Sequence, residues 1–217
     1  MQPFRSTLPT IPLLLCLLAA MPLLASDAPP PPFNEQMATP ELLAELRGGG
    51  YLLYLRHGYT DNSRPDQFPH VDLNDCLTQR PLNDAGRELM RQVGESLRAA
   101  EIPLSRILVS PMCRTVESAQ LAVGEEFEQV ESLMYSANMT SEEKAPRIAA
   151  LRQMMQQPIP EGGNTLFIAH APNMADLIGF FIRPEGNLLI FRQEGPEGFS
   201  YLASIHPDHW ATLLKAY

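Results

Sequence analysis

The chain has 217 residues, 45% of them apolar, and carries 25 acidic against 16 basic residues, for a net charge of −9. This length suits one domain with a sizeable core, and neither a repeat nor a second composition regime divides the sequence. The acidic balance argues against nucleic-acid binding through bulk charge.

The N-terminus has the pattern of a secretory signal peptide. Arg5 precedes the apolar run of residues 13–21, and the small residue Ala25 precedes a predicted cleavage site. The run is shorter than the roughly 20 residues that span a membrane, so we expect no stable membrane span after cleavage, a permanent anchor being the alternative. Loss of residues 1–25 removes one basic and no acidic residue, which moves the net charge from −9 to −10. The sequence thus predicts a periplasmic or secreted protein.

The predicted boundaries that follow are a Pro-rich disordered tether at residues 26–38 and a single catalytic domain at residues 39–217. Thr39 caps a first helix, Pro40 takes its first position, and glycines 48–50 end it. Asn83 caps a second helix, which ends near Ala100.

Apolar strand patterns alternate with helical ones through the rest of the chain. Strands are predicted at residues 51–55, 106–110, 127–130 and 165–169, and helices at 114–123, at 141–157 and from about Asn173. Two further strands, 188–192 and 201–205, are joined by a Gly/Pro turn at 195–198. This order predicts an α/β fold, a three-layer α/β/α sandwich with a mostly parallel central sheet.

Two histidines directly follow predicted strands. His57 lies in Arg56-His57-Gly58 after the first strand, and His170 follows the strand at 165–169. Ligands of open α/β sheets bind at the carboxyl ends of the strands, so we expect both histidines in one site. The polar loop from Tyr59 to Pro81 is long enough to cover that site.

Four motifs in this order resemble the histidine phosphatase superfamily, whose fold is phosphoglycerate mutase-like, and the resemblance extends from about Tyr51 to Trp210. The motifs are Leu55-Arg56-His57-Gly58, Leu82 with Gly86, Ser110-Pro111-Met112-Cys113-Arg114-Thr115 with Ser118-Ala119, and His170. The resemblance implies an exported, bacterial-type member that needs no metal or other cofactor. It also implies that His57 attacks phosphorus and forms a phosphohistidine.

The same resemblance suggests the phosphate ligands. Arg56 and Arg114 would bind phosphoryl oxygens through charge-assisted hydrogen bonds, and His170 would supply a further donor. Arg80, just before the second helix, is a further candidate for phosphate binding. For Arg80 the alternative is a salt bridge to a loop acid such as Asp75.

The proton donor of the resembling family is missing at both familiar positions. One branch places a glutamate where Tyr135 stands, and another places an aspartate where Ala171 stands. The carboxylates that could replace it are Glu142, Glu143, Asp61 and Glu185. General acid catalysis contributes about 10²–10⁴-fold, so an enzyme without it would favour leaving groups that depart as stable anions, as in sugar-1-phosphates, acyl phosphates or phosphohistidine.

These features predict an exported phosphatase that hydrolyses phosphate monoesters or related phosphoryl compounds. The general layout is similar to that of lipopolysaccharide core heptose phosphate phosphatases, which suggests a small phosphorylated substrate such as an envelope phosphosugar. A non-catalytic phosphate-binding envelope protein that retains the pocket is the alternative, and a mutase is a third interpretation.

The remaining histidines and cysteines leave two questions. His206 and His209 have a short spacing, but Pro207 opposes a helix through them, so we expect a capping or turn role rather than a metal site. Cys76 and Cys113 are retained after signal removal. An exported protein meets an oxidising compartment, in which these two cysteines could form a disulfide. Two buried free thiols are the alternative.

Overall fold

The computed structural model describes residues 33–67, 71–195 and 198–216, within which the chain forms six strands and six α-helices. The strands are β1 (Tyr51–Arg56), β2 (Leu104–Val109), β3 (Glu128–Gln129), β4 (Asn164–Ala169), β5 (Leu188–Gln193) and β6 (Phe199–Ile205). The helices are α1 (Pro40–Glu45), α2 (Asp84–Ala99), α3 (Cys113–Val123), α4 (Ser141–Met155), α5 (Ala171–Ile178) and α6 (Trp210–Lys215). The predicted signal peptide and residues 26–32 of the predicted tether lie outside the described residues.

The strands form one sheet in the order β3-β2-β4-β1-β5-β6. Strands β1 to β4 run parallel to one another, β5 is antiparallel to β1, and β6 is antiparallel to β5. Five of the six strands therefore share one direction, and the predicted mostly parallel sheet is confirmed.

Helices cover both faces of this sheet. Because alternate strand residues point to opposite faces, Leu53 and Leu55 of β1 pack with α1, α2, α3 and α6. Leu52 and Tyr54 pack on the other face with α4 and α5. The result is the predicted three-layer α/β/α sandwich. No helix in the described ranges is both long and apolar enough to cross a membrane.

The predicted helix caps agree with the structure, and the differences lie at element ends. Thr39 and Asn83 each accept a backbone N–H of the helix that follows, and Thr140 does the same at the start of α4. Strand β3 has only two residues, both exposed at the sheet edge. Helix α5 begins at Ala171 rather than near Asn173, because Pro172 suits the first turn of a helix. The predicted turn at 195–198 includes residues outside the described ranges.

Residues 33–38, predicted as the end of the disordered tether, instead pack against the domain. The ring of Phe33 stacks on that of Phe180 at a centroid distance of 4.3 Å. Glu35 pairs with His206 at 3.0 Å. The prediction was wrong for these residues because an aromatic ring and a carboxylate find specific partners, which the nearby proline run did not indicate.

Two glycines allow α2 to lie directly against the chain that leaves β1. A Cβ on Gly86 would overlap the backbone of Tyr59, and a Cβ on Gly58 would overlap the backbone of Gly86. The Ser118 hydroxyl also accepts the Gly58 N–H at 3.2 Å. These contacts fix the backbone immediately after His57.

A disulfide joins Cys76 to Cys113, with the two Cα atoms 5.7 Å apart. It connects a short 3-10 turn of the covering loop, Cys76–Thr78, to the first residue of α3. The side chain of Gln79 adds a second link, because its Oε1 accepts the Cys113 N–H at 2.9 Å. The covering loop is thereby attached one residue away from Arg114.

We expect the Cys76→Ser/Cys113→Ser double variant to lose about 3–4 kcal/mol of unfolding free energy, since the bond closes a loop with a sequence separation of 37 residues. It should also bind vanadate more weakly, because the loop beside Arg114 is released. Urea unfolding and vanadate titration measure the two effects. Two free thiols in a denatured, unreduced chain of residues 26–217 would contradict the disulfide itself.

Candidate active site

The two predicted site histidines lie side by side, because β1 and β4 are neighbouring parallel strands. Arg56 pairs in register with Ala169, so His57 and His170 follow at the same sheet edge. Their ring centroids are 5.3 Å apart, and both side chains are buried. The structure thus brings together the residues that the motifs selected.

The hydrogen bond of His57 defines its tautomer. Nδ1 lies 2.8 Å from the carbonyl oxygen of Gly58. A carbonyl can only accept, so Nδ1 carries the proton and Nε2 keeps its lone pair. Burial lowers the pKa of His57 well below 6.5, and the charges of Arg114, Arg56 and Arg80 lower it further. His57 is therefore neutral at pH 7 and has a nucleophilic nitrogen available.

His170 presents the opposite nitrogen to the site. Its Nε2 lies 2.9 Å from the Ser110 hydroxyl oxygen, which also accepts the Met112 N–H at 3.5 Å. When the Ser110 hydroxyl donates to Nε2, the imidazole carries its own proton on Nδ1. Burial, followed by the Arg114 charge, lowers the pKa of His170 well below 6.5. His170 is thus neutral, and in this tautomer its buried Nδ1–H has no partner among the described residues and can donate to an anion.

Tyr54 holds the backbone of His170, a role that the sequence did not reveal. Its hydroxyl donates to the His170 carbonyl at 2.9 Å and accepts the His170 N–H at 3.2 Å. Burial raises the pKa of Tyr54, so the hydroxyl stays protonated. The only signal in the sequence is one hydroxyl among the four central, buried positions of β1.

The guanidinium groups of Arg56 and Arg80 form hydrogen bonds to the protein through their terminal nitrogens. The terminal nitrogens of Arg56 donate to the Ile182 carbonyl and to Glu185, both at 2.6 Å. Arg80 donates through Nη1 to Asn62 at 3.2 Å. The Arg80 side chain thus bonds the amide of Asn62 and not Asp75, the loop acid considered as an alternative partner.

Arg114 is fully buried at the start of α3. It forms a salt bridge to Asp66 at 2.8 Å, and its Nη2 lies 3.5 Å from the sulfur of Met112. The Tyr135 ring lies under the guanidinium at 5.2 Å. Sequence reasoning did not select Asp66, because the conformation of the covering loop cannot be read from local patterns.

Four buried nitrogens in this cluster lack a hydrogen-bond partner among the described residues. They are Nε of Arg56, Arg80 and Arg114, and Nδ1 of His170. The three arginine charges each lower the pKa of both histidines, which places them near the pair. A buried donor without a partner costs about 1–3 kcal/mol, and more when it is charged. Such a cluster suits an anion with several oxygens.

Three of the four carboxylates first considered as proton donors have hydrogen-bond partners of their own. Glu185 pairs with Arg56, Glu143 belongs to the capping box of α4, and Asp61 accepts the Ser63 hydroxyl at 2.6 Å. Glu142 is exposed. In the part of the chain described, none of the four bonds to either site histidine.

The second histidine pair has structural partners. His206 bonds Glu35, and His209 Nε2 lies 3.0 Å from the Ala38 carbonyl. Across the described ranges, no group of three His, Cys, Asp or Glu side chains is arranged to hold a metal ion.

The lowered pKa values of His57 and His170 predict a pH-dependent stability. Below pH 6.5 both histidines protonate in the unfolded chain but not in the folded one, so the unfolded state binds more protons. The unfolding free energy should fall with decreasing pH, by up to about 1.4 kcal/mol per pH unit for each histidine. Urea unfolding between pH 7.5 and 5 should show a shallower slope in His57→Gln, whereas the same slope in wild type and His57→Gln would contradict the prediction.

The fold and the site together define an α/β protein with a buried histidine pair surrounded by arginines. The family model of the Histidine phosphatase superfamily (branch 1) matches residues 52–142, which include His57, Arg80 and Arg114. This match supports the superfamily that the sequence motifs resemble. No curated protein matches the chain significantly.

Solved structures share the architecture at low sequence identity. The protein histidine phosphatase SixA complexed with tungstate is 16% identical, with a TM-score of 0.53 over 73% of this chain and 97% of its own. A putative alpha-ribazole-5'-P phosphatase from Escherichia coli has 16% identity and a TM-score of 0.54 over 72% and 97%. A mutant phosphoserine phosphatase from Entamoeba histolytica, bound to phosphoserine, has 13% and 0.51 over 73% and 98%. They confirm the phosphoglycerate mutase-like fold.

Proposed function

We propose that the protein is a phosphatase that passes a phosphoryl group from substrate to Nε2 of His57 and then to water. The observation that carries this proposal is the combination of a neutral, buried His57 with four buried nitrogens near it that have no hydrogen-bond partner in the described part of the chain. A protein that only bound anions would have no use for the free lone pair on Nε2. The substrates are phosphate monoesters or related phosphoryl compounds.

In the proposed reaction, the arginine Nε–H groups and His170 Nδ1–H bind the phosphoryl oxygens. His57 Nε2 attacks phosphorus, the N–P bond forms, and the bond to the leaving oxygen breaks. Water then attacks the phosphohistidine, and the N–P bond breaks to release inorganic phosphate. Phosphoryl transfer depends mainly on positioning and charge stabilisation, and the cluster around His57 provides both.

We further propose that the protein acts after export, in the periplasm or as a secreted protein. The support is Arg5 before the apolar run 13–21, the small Ala25 at the predicted cleavage site, and a disulfide in the domain. In that compartment an envelope phosphosugar is the first substrate class to test. Cell fractionation and N-terminal sequencing of the mature protein test the location.

The decisive experiment is incubation with a panel of labelled phosphoryl compounds that differ in leaving-group basicity. We expect phosphate release, and a labelled protein whose phosphoryl group is lost in acid and retained in base. Added EDTA should not lower the rate, because arginines and histidines supply the positive charge. Vanadate binding without any turnover or labelling would instead establish the non-catalytic alternative.

A further inference from the structure

Asp66 is a buried carboxylate at the proposed anion site. It belongs to the covering loop, and its side chain is 8% exposed. Its Oδ1 accepts hydrogen bonds from Nη1 of Arg114 and from the backbone N–H of Arg80, both at 2.8 Å. Both donors belong to residues of the proposed anion site. Only the guanidinium of Arg114 would therefore separate Asp66 from a phosphoryl group bound by that arginine.

A cavity of about 350 Å³ opens beside this carboxylate. Asp66, Met112 and Tyr135 line its wall, and each of these three also contacts Arg114. The rest of the lining is partly apolar, with Met134 among its members. Ligand pockets have volumes of roughly 300–1,000 Å³. A substrate whose phosphoryl group is held by Arg114 can therefore place its leaving group in the cavity, past Asp66.

We propose that Asp66 is the proton donor to the leaving group, an inference that rests on the proposed phosphatase function. The Asp66 carboxyl gives its proton to the leaving oxygen as the P–O bond breaks and the N–P bond to His57 forms. The resulting carboxylate takes a proton from the attacking water as the new P–O bond forms and the N–P bond breaks. Each turnover restores both side chains and converts a phosphate ester and water into an alcohol and phosphate.

Substrate binding supplies the protonated carboxyl. A phosphoryl dianion and an aspartate that share Arg114 repel each other, so a substrate monoanion, which carries one proton, meets less repulsion there. A phosphate monoester has its second pKa near 6, so its monoanion can deliver that proton on binding. The arrangement supplies the acid that the familiar family positions, Tyr135 and Ala171 here, do not.

The test compares kcat/KM of Asp66→Asn and wild type on nitrophenyl, phenyl and alkyl phosphates, since kcat/KM reports the steps up to phosphoryl transfer and not the later hydrolysis of the phosphohistidine. Asparagine keeps an oxygen to accept from Arg114 and Arg80 but has no carboxyl proton to give. We expect kcat/KM for the alkyl phosphate to fall about 10²–10⁴-fold, and that for nitrophenyl phosphate to fall less than about tenfold, because nitrophenolate leaves without a proton. The matched control is Asp72→Asn, an exposed aspartate of the same loop, which should behave as wild type.

Two outcomes would overturn the proposal. Equal losses on all three substrates would make Asp66 a residue that only positions Arg114, and no loss on the alkyl phosphate would remove it from the mechanism. Labelled phosphohistidine formed from nitrophenyl phosphate distinguishes a failure of the Asp66 proposal from a failure of the proposed phosphatase function. If wild type is labelled and Asp66→Asn gives either of these two outcomes, the role of Asp66 is rejected and the phosphatase function stands. If wild type shows neither label nor turnover, both are rejected.

Discussion

His57→Ala should release phosphate from its best substrate at less than about one thousandth of the wild-type rate, and it should form no labelled protein. Nε2 of His57 is the atom that attacks phosphorus in the proposed reaction, because the Gly58 carbonyl holds the ring proton on Nδ1 and leaves the Nε2 lone pair free. The backbone around Gly58 is held by its own contacts with Gly86 and Ser118. We therefore expect the fold to persist, as measured by circular dichroism.

Vanadate affinity separates loss of the nucleophile from loss of the site. The arginines that bind the anion are intact in His57→Ala, so vanadate should still bind within about tenfold of wild type. His57→Asn, which leaves a smaller cavity than alanine does, should be equally inactive. His209→Ala, which changes a histidine that bonds the Ala38 carbonyl rather than the site, should retain full activity. Substantial phosphate release by either His57 variant would refute the proposed mechanism.

The part of the site that the sequence predicted is the part built by local rules. A histidine directly after a buried strand must lie at the carboxyl end of that strand, and parallel neighbours bring two such ends together. Ser110 and Arg114 follow the same logic, because Pro111 ends β2 and α3 begins at Cys113. Each of these placements depends on residues close by in sequence.

What the sequence did not predict depends on contacts between distant residues. Asp66 meets Arg114 across 48 positions, and Tyr54 meets His170 across 116. The covering loop reaches Arg114 through the disulfide and Gln79 rather than through any turn or helix pattern. The same reason explains the tether, since Phe33 finds its partner Phe180 only in the folded domain.

The charge balance at the site explains how an acidic protein can hold a second anion. Arg56 is paired with Glu185 and Arg114 with Asp66, whereas the described contacts of the Arg80 side chain include an amide, Asn62, and no carboxylate. Three cations thus face two carboxylates, which leaves one positive charge and the unpartnered Nε–H groups for a phosphoryl group. A phosphoryl group that binds Arg114 must compete with the Asp66 carboxylate for that guanidinium. We therefore expect anion affinity to depend most strongly on Arg114.

Replacing Arg114 with alanine should weaken vanadate binding by about 1.5–3 kcal/mol, an increase of about 10- to 150-fold in Kd. The single variant would also leave Asp66 buried without its ion-pair partner, which costs about 3–5 kcal/mol of stability. The comparison is therefore made between Asp66→Asn and Arg114→Ala/Asp66→Asn, where the stranded carboxylate is absent from both. Arg114→Lys in the same background should recover part of the affinity, since an ammonium keeps the charge but lacks the Nε–H of the guanidinium. Equal vanadate Kd values with and without Arg114, measured by titration in chains that unfold at similar urea concentrations, would exclude this residue from the anion site.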